Sequence, residues 1–277
     1  MKVVITIAEM KQALEGISHP LGFVPTMGFL HEGHISLVHQ AAEENKTVAA
    51  SIFVNPTQFG PSEDLKAYPR NTERDLKLLA EAGTGIVFMP DSAEIYPEGF
   101  DSWLNVGTLT SPLEGASRPT HFRGVTTVIA KLFNIVEPDN TYFGQKDAQQ
   151  ALVIQKMTKD LNMNLNVIIL PTVREPDGLA MSSRNIYLNP AERGAATVLF
   201  RASKLAEQMH SRGEPDARKI RAAMTDLIKK EPLAQIDYVS VADAITLNEL
   251  QKLNTPALVS MAVRIGKTRL IDNTVLR

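Results

Sequence analysis

Residues 25–34 place two histidines and two glycines where an apolar stretch runs into a helical pattern. A turn from a strand into a helix directs backbone N–H groups and the positive end of the helix at one spot, which suits a phosphate. Gly28 and Gly33 let a ligand approach the backbone closely. His31 and His34 add donors that can stabilise charge developing on a phosphoryl oxygen. These residues predict a phosphate-binding site with catalytic histidines.

Other interpretations of this turn stay open on the residues alone. The helical zinc motif spaces its histidines four apart with Glu beside the first, whereas His31 and His34 are three apart. A capped helix start with two solvated histidines would need no ligand. A dinucleotide site fits worse, because the chain contains no G-x-G-x-x-G.

A second candidate for phosphate binding follows the apolar stretch that ends at Phe143. Gly144 permits a tight turn, Lys146 can neutralise phosphate charge and Asp147 can cap the next helix. Taken alone, these residues fit a plain capped helix start. Ligands of open α/β sheets bind at the carboxyl ends of strands, which supports a binding role as the alternative.

A third candidate, residues 181–185, lies in a polar, turn-rich stretch. Ser182, Ser183 and Arg184 supply several donors to phosphate oxygens, and a loop of this content could close over a triphosphate. A solvated linker is the alternative. Elsewhere Gln58 and Gln150 carry neutral amides, which suit a hydroxylated small molecule better than a phosphate.

The elements that must position these residues alternate over the first two-thirds of the chain, which predicts a Rossmann-like α/β fold: a parallel sheet with helices on both faces. The predicted strands are Gly22–Pro25, Thr47–Val54, Gly85–Met89, Asn140–Phe143 and Leu165–Leu170. The predicted helices are Ile35–Asn45, Thr72–Ala82, Val125–Val136 and Ala148–Leu161.

The pattern changes after Pro171 to a pair of helices followed by strands, which predicts a smaller C-terminal α+β domain. We place the domains at residues 1–175 and 176–277. The predicted helices are about Ala191–Ser211 and Pro215–Lys230, and the predicted strands are Asp237–Val241, Ala257–Ile265 and Thr268–Asp272. Gly266 and Lys267 read as a two-residue hairpin turn between the last two strands.

Composition narrows the class of protein. The chain has 277 residues, of which 44% are hydrophobic, so it can bury a sizeable core. It contains no cysteine, which excludes disulfides and thiolate chemistry and fits the cytoplasm. The formal net charge is −2, so we expect no nucleic acid as a partner. No apolar run is long enough to span a membrane, so we expect no membrane partner either.

Taken together, six segments resemble the pantothenate synthetase family within the HxGH nucleotidyltransferase superfamily. They occur in the order of that family and cover most of the first 185 residues. The segments are Pro25–His34, Asn55–Gly60, Tyr68–Arg70, Arg118–Val125, Gly144–Gln150 and Val173–Asn185.

The resemblance implies an ATP-dependent ligase that condenses (R)-pantoate with β-alanine through a pantoyl adenylate and releases AMP and pyrophosphate. It also implies Mg²⁺ with unassigned ligands, a cytoplasmic homodimer, and a C-terminal domain that acts as a lid carrying residues 181–184. Two alternatives remain on the residues alone: a nucleotidyltransferase with a phosphate-bearing acceptor, and a module that binds ATP without catalysis.

The resemblance also assigns roles. Catalysis would fall to His34, His31, Lys146, Ser182 and Arg184, and Gln58 and Gln150 would hold pantoate. The residues expected to contact ATP are Met27, Gly28, Phe29, Leu30, His31, Glu32, Gly33, His34, Gly144, Gln145, Lys146, Asp147, Val173, Met181, Ser182, Ser183 and Arg184.

Overall fold

The computed structural model describes residues 1–61 and 63–277. The chain forms two compact units: residues 1–145 with 149–171, and residues 146–148 with 172–277. The main change of unit falls between Pro171 and Thr172, a few residues before Glu175. Within the described residues, no helix is long and apolar enough to cross a membrane.

The first unit is built on a six-stranded sheet in which neighbouring strands run parallel, which confirms the predicted sheet. Its strands are β1 (Lys2–Val4), β2 (Leu21–Thr26), β3 (Thr47–Ile52), β4 (Ile86–Phe88), β5 (Asn140–Gly144) and β6 (Asn166–Leu170). Their spatial order is β1-β4-β3-β2-β5-β6. The sequence prediction lacked β1, a three-residue edge strand too short to show a periodic pattern.

Helices pack on both faces of this sheet, as predicted. The helices of this unit are α1 (Ile7–Leu14), α2 (Glu32–Glu44), α3 (Thr72–Glu81), α4 (Ser92–Ile95), α5 (Glu114–Ser117), α6 (His121–Val136) and α7 (Ala148–Asp160). Neighbouring strand residues enter different cores: Phe23 packs with α1 and α6, and Val24 packs with α2 and α3. This alternation is the period of two of a strand covered on both sides.

The strand order reverses between β2 and β5, which are neighbours although more than a hundred residues separate them. Ligands of doubly wound sheets bind in the crevice at the carboxyl ends of the strands at such a reversal. The segments that leave β2 and β5 are residues 27–31 and Gln145, so the topology brings two of the predicted phosphate segments to one edge.

Two helices begin earlier than predicted. Helix α2 starts at Glu32 because the ring of His31 acts as its cap, accepting the N–H of Gly33 at 3.1 Å. Helix α6 starts at His121, four residues before the predicted start, without a side-chain cap. Helix α1 was not predicted, although Thr6 and Glu9 form a capping box at its start.

The second unit carries a three-stranded antiparallel sheet with helices, which confirms the predicted α+β class. Its elements are α8 (Pro190–Ala195), α9 (Val198–Ser211), α10 (Ala217–Lys229), β7 (Ala234–Asp243), β8 (Ala257–Ile265) and β9 (Thr268–Leu276). The predicted two-residue turn at Gly266 is confirmed. The single helix predicted from Ala191 was wrong: it is interrupted where Thr197 Oγ1 donates to Gly194 O at 2.8 Å.

Candidate active site

The turn between β2 and α2 adopts a backbone conformation that requires glycine at one position. Gly28 has a φ of +81°, and a Cβ there would lie 3.0 Å from Ile52 Cγ2 and 3.2 Å from Asp75 Oδ2. Phe29 follows with a φ of +50°, which is uncommon for a residue with a side chain. The turn is therefore held in a strained conformation by groups around it.

Asp75 on α3 is one of those groups. Its carboxylate accepts the N–H of Phe29 at 2.7 Å and of Leu30 at 2.8 Å, and the residue is only 1% exposed. Arg74 adds a bond from Nη1 to the carbonyl of Leu30 at 2.8 Å. These two N–H groups are thus engaged within the protein, which corrects the expectation that the turn as a whole directs its N–H groups at a ligand.

The two histidines of the turn are held in one tautomer. His31 Nδ1 accepts the N–H of Gly33, and His34 Nδ1 accepts the N–H of His31 at 3.3 Å. A ring nitrogen that accepts a hydrogen bond carries no proton, so each neutral imidazole carries its proton on Nε2. The rings lie 4.1 Å apart between centroids. Each ring of the pair therefore has an Nε2–H group that can donate a hydrogen bond.

The structure brings Gln58 to this turn. A short 3₁₀ turn, Pro56–Gln58, follows β3 and is capped by Asn55, and the Nε2 of Gln58 lies 3.1 Å from Met27 Sδ. Gln150 is partly buried in the first turn of α7, and within residues 1–61 and 63–277 no hydrogen bond joins it to Gln58. Gly144 ends β5 and Gln145 opens the next 3₁₀ turn.

A polar cluster of the buried His121 and the partly buried Arg118 and Glu63 contacts the backbone of Gln58. His121 Nδ1 lies 3.0 Å from the carbonyl of Gln58, and Arg118 Nη2 donates to the same oxygen at 3.3 Å. Arg118 also forms a two-point ion pair with Glu63, at 2.7 and 2.6 Å. Burial opposes the charge of Glu63, but the bond and charge of Arg118 prevail and lower the pKa of that carboxyl. None of these three side chains was predicted as a site residue.

The histidine of this cluster predicts a pH dependence of folding stability. Burial, with the nearby charge of Arg118, lowers the pKa of His121 from 6.5 to about 4. The unfolded chain therefore binds more protons between these values, and stability is full above pH 6.5 and falls as the pH drops towards 4. At about 1.4 kcal/mol per pKa unit, the loss is about 3 kcal/mol.

Urea unfolding of the protein and of His121→Gln at several pH values between about 7.5 and 4.5 measures this effect. We expect the free energy of unfolding to fall less steeply with acidification in the variant than in the wild type. The difference between the two slopes should correspond to the uptake of about one proton on unfolding. Equal slopes for the two proteins would contradict a neutral His121 in the folded state.

In the second unit, the backbone around Lys146 is held by the last strand. Asn273 Nδ2 donates to the carbonyl of Lys146 at 2.8 Å, and Asn273 is 5% exposed. The ammonium of Lys146 lies 3.4 Å from Asp147 Oδ1. Sequence reasoning missed Asn273, because 127 positions separate it from its partner.

A hairpin in the second unit connects Val173 to the segment that starts at Met181. The N–H of Met181 donates to the carbonyl of Val173 at 3.0 Å. Arg174 fastens the hairpin through bonds to Asp272 at 2.7 and 2.9 Å and to the carbonyl of Gly178 at 3.0 Å. This arrangement sets the start of the predicted phosphate-binding loop.

That loop continues as a short 3₁₀ helix, Ser183–Tyr187, capped by Ser182. Ser182 Oγ accepts the N–H of Arg184 at 3.3 Å, and Ser183 and Arg184 are partly buried. The hydroxyl of Ser182 is thus a helix cap in this structure.

Comparison with known proteins gives the family. The family model described as Pantoate-beta-alanine ligase matches residues 2–275. A pantothenate synthetase of Roseiflexus sp. (strain RS-1) is 58% identical over 276 residues, covering 100% of this chain and 99% of the relative.

Solved structures agree. The pantothenate synthetase of Thermus thermophilus matches with a TM-score of 0.95 and 46% identity, covering 99% of each chain. The pantoate-beta-alanine ligase of Francisella tularensis, complexed with beta-gamma ATP and beta-alanine, matches with a TM-score of 0.83 and 34% identity, covering 99% of this chain and 97% of that one. Full-length matches at these identities establish that the chain belongs to the pantoate–β-alanine ligase family.

Proposed function

We propose that this chain condenses (R)-pantoate with β-alanine at the expense of ATP, through a pantoyl-adenylate intermediate. The observation that carries the proposal is the contact of Gln58 with Met27: a neutral amide suited to a hydroxylated acid lies against the histidine turn at the strand reversal. Membership in the family and the ligands of the Francisella relative, ATP and β-alanine, support it.

The first half-reaction transfers AMP to the acid. A carboxylate oxygen of pantoate bonds to the α-phosphorus, the bond from that phosphorus to the bridging oxygen breaks, and pyrophosphate leaves with the electron pair. Negative charge grows on the phosphoryl oxygens, and the Nε2–H groups of His34 and His31 can stabilise it by donating hydrogen bonds. The positive charges of Lys146 and Arg184 neutralise further charge, and the hydroxyl of Ser182 donates a hydrogen bond.

The second half-reaction forms the amide. The amine of β-alanine attacks the activated carbonyl, the carbon–oxygen bond to the phosphate breaks, and AMP leaves while the nitrogen loses its proton. A free carboxylate is a poor acyl donor, so adenylation supplies the leaving group that this step needs. Gln58 and Gln150 hold the pantoyl part through both steps.

We assign ATP binding to four segments of the chain. They are the turn 27–34, the segment 144–147, the backbone of Val173 and the loop 181–184. In this proposal residues 176–277 form the lid that carries the loop.

Magnesium accompanies ATP in this proposal, but no residue is assigned to it. Among residues 1–61 and 63–277, no group of three or more His, Asp or Glu side chains is gathered to hold a metal ion. Mg²⁺ is commonly bound through one or two carboxylates plus substrate phosphates, which fits a metal that arrives with the nucleotide.

An isotope experiment separates this ligase from a nucleotidyltransferase. With both carboxylate oxygens of pantoate labelled with ¹⁸O, the adenylate route leaves one labelled oxygen in the phosphate of AMP and one in the amide. Mass spectrometry of the products measures both. A nucleotidylated product without free AMP, or AMP without label, would refute the proposal.

The helix behind Gln58 gives a prediction about substrate binding. A Cβ at Gly124 would lie 2.4 Å from the carbonyl oxygen of Thr57 and 2.6 Å from the N of Gln58, both backbone atoms. We therefore expect Gly124→Ala to displace the turn, to raise the KM for pantoate about tenfold or more, and to lower Tm by several degrees.

Steady-state kinetics and thermal unfolding test this expectation, with Gly194→Ala as the matched control. Nothing lies within 4 Å of a Cβ at Gly194 in α8, so that change should stabilise the protein by about 0.5–1 kcal/mol and leave the KM alone. Equal KM values in the two variants would contradict the close packing of α6 on the substrate segment.

We also propose a cytoplasmic homodimer, as the resemblance implies, without nucleic acid or membrane as a partner. The edge strand β6 leaves residues 167–170 partly exposed, which supports an additional contact surface. Sedimentation equilibrium measures the oligomeric state, and a monomer at micromolar concentration would refute this part of the proposal.

A further inference from the structure

We propose that Tyr96 and Asn55 are positioning residues that hold the side-chain amide of Gln58 in one orientation, with Nε2 presented as a donor to an oxygen of pantoate. The inference rests on the proposed role of Gln58 in binding pantoate. It adds a reason why the amide acts as a donor there, and it names two residues that act through it.

The orientation starts at Asn55, which is 1% exposed. Its Oδ1 accepts the backbone N–H of Thr57 at 3.3 Å, Thr57 Oγ1 at 2.9 Å and Tyr96 Oη at 2.9 Å. A backbone N–H can only donate, so the atom that faces it must be the oxygen of the Asn55 amide. The backbone N–H thus fixes the orientation of the Asn55 amide, and the hydroxyls of Thr57 and Tyr96, which lie 3.1 Å apart, stabilise that orientation by donating to the same oxygen.

The orientation passes from Asn55 to Gln58. Asn55 Nδ2 donates to the carbonyl of Gly124 at 3.1 Å and to Gln58 Oε1 at 3.1 Å. A carbonyl can only accept, which agrees with nitrogen at this position. Because Nδ2 donates, the atom of Gln58 that faces it must be Oε1, and Nε2 lies on the other side of the amide.

On that other side, Nε2 of Gln58 lies 3.1 Å from Met27 Sδ, in the turn of the predicted ATP site. A thioether sulfur is a weak acceptor. A carboxylate or hydroxyl oxygen is a much stronger partner, so pantoate gains more from Nε2 than the thioether loses. A reversed amide would instead present Oε1 and repel a carboxylate.

The hydroxyl of Tyr96 is itself held in place. Its ring packs against Phe53 with centroids 6.4 Å apart, against Phe100 at 5.1 Å and against Trp103 at 6.4 Å. Burial raises the pKa of the Tyr96 phenol, so the group stays protonated and donates to Asn55 throughout the neutral range. An aromatic cluster outside the site is thus connected to the side-chain amide of Gln58 through two hydrogen bonds, from Tyr96 to Asn55 and from Asn55 to Gln58.

Kinetics of two variants test the proposal. Tyr96→Phe removes one of three donors, and we expect kcat/KM for pantoate to fall about 3- to 10-fold with kcat nearly unchanged. Asn55→Asp replaces the donor that faces Gln58 with an acceptor, so the glutamine amide must turn over. We expect about a 100-fold fall in kcat/KM for pantoate and little change in the KM for ATP.

A double-mutant cycle separates positioning from general structural damage. In a Gln58→Leu background, neither Tyr96→Phe nor Asn55→Asp should lower kcat/KM for pantoate further, because both act through the missing amide. Effects that simply add to that of Gln58→Leu would overturn the proposal.

A matched control is Tyr142→Phe. Tyr142 is fully buried, and its hydroxyl donates to Glu44 at 2.7 Å and accepts from Asn45 at 2.7 Å. This variant loses a hydroxyl of the same kind elsewhere in the unit and should keep the wild-type KM for pantoate. If Asn55→Asp fails to fold, Tyr96→Phe and its cycle with Gln58→Leu still decide the question.

Failure of the inference differs from failure of the proposed function. Wild-type protein that turns over pantoate, with wild-type kcat/KM in both variants, refutes the positioning roles alone. Wild-type protein that does not turn over pantoate refutes the proposed function and this inference with it.

Discussion

Replacement of His34 by alanine is expected to lower kcat by about 10²- to 10³-fold while the fold stays intact. His34 Nδ1 accepts the N–H of His31, so the ring proton lies on Nε2. There it can donate a hydrogen bond to an oxygen of the phosphoryl group that is being transferred. Loss of that donor affects the transition state more than the bound substrate, so kcat should fall more than the KM for ATP rises. Rapid-quench measurement of pyrophosphate formation with pantoate alone isolates this step.

The matched control for that variant lies on the same helix. His39 is exposed on α2, and His39→Ala should retain wild-type kcat. Near-normal turnover in His34→Ala, with Tm values of both variants close to that of the wild type, would refute the role of His34.

The second large effect is expected for Lys146→Ala, with a fall in kcat of about 10²-fold or more, because an ammonium group near the phosphates neutralises charge that grows in the transition state. The carbonyl of Lys146 is bonded to Asn273, so its backbone should keep its place when the side chain is removed. The expected defect is therefore electrostatic rather than structural. Steady-state kinetics with ATP varied measure it.

Two comparison variants sharpen the test of Lys146. Lys146→Arg keeps the charge in a different shape and should recover part of the lost activity. Lys159→Ala, near the far end of α7, removes an exposed ammonium and should leave kcat unchanged. A Lys146→Ala enzyme as active as Lys159→Ala would rule out the assigned role.

The parallel sheet could be predicted because its inner strands are buried on both faces and appear in the sequence as short apolar runs. The runs at residues 48–52 and 167–170 are nearly continuous in apolar residues, and β3 and β6 occupy them. The edge strand β1 and helix α1 escaped prediction, because three residues show no period and the helix is only eight residues long.

The chemistry-bearing motifs are local in sequence, so residues 27–34, 144–147 and 181–184 could be found without a structure. Their supports are not local. Asp75 accepts hydrogen bonds from two residues of the turn that lie 45 and 46 positions before it in the sequence. Tyr96 donates a hydrogen bond to Asn55, which lies 41 positions before it. Asp75 gave only the signal of an acid in a first helical turn, and Tyr96 gave none. Such pairings depend on the packing of strands and helices, which one sequence does not encode in a readable pattern.

Pyrophosphate release measured with ATP and Mg²⁺, first with pantoate alone and then with β-alanine added, tests the central proposal most directly. The two-step ligase predicts a burst close to stoichiometric with enzyme when only pantoate is present, because the adenylate stays bound. It predicts sustained release once β-alanine consumes that intermediate. No pyrophosphate under either condition would contradict the assignment of pantoate as the acid substrate.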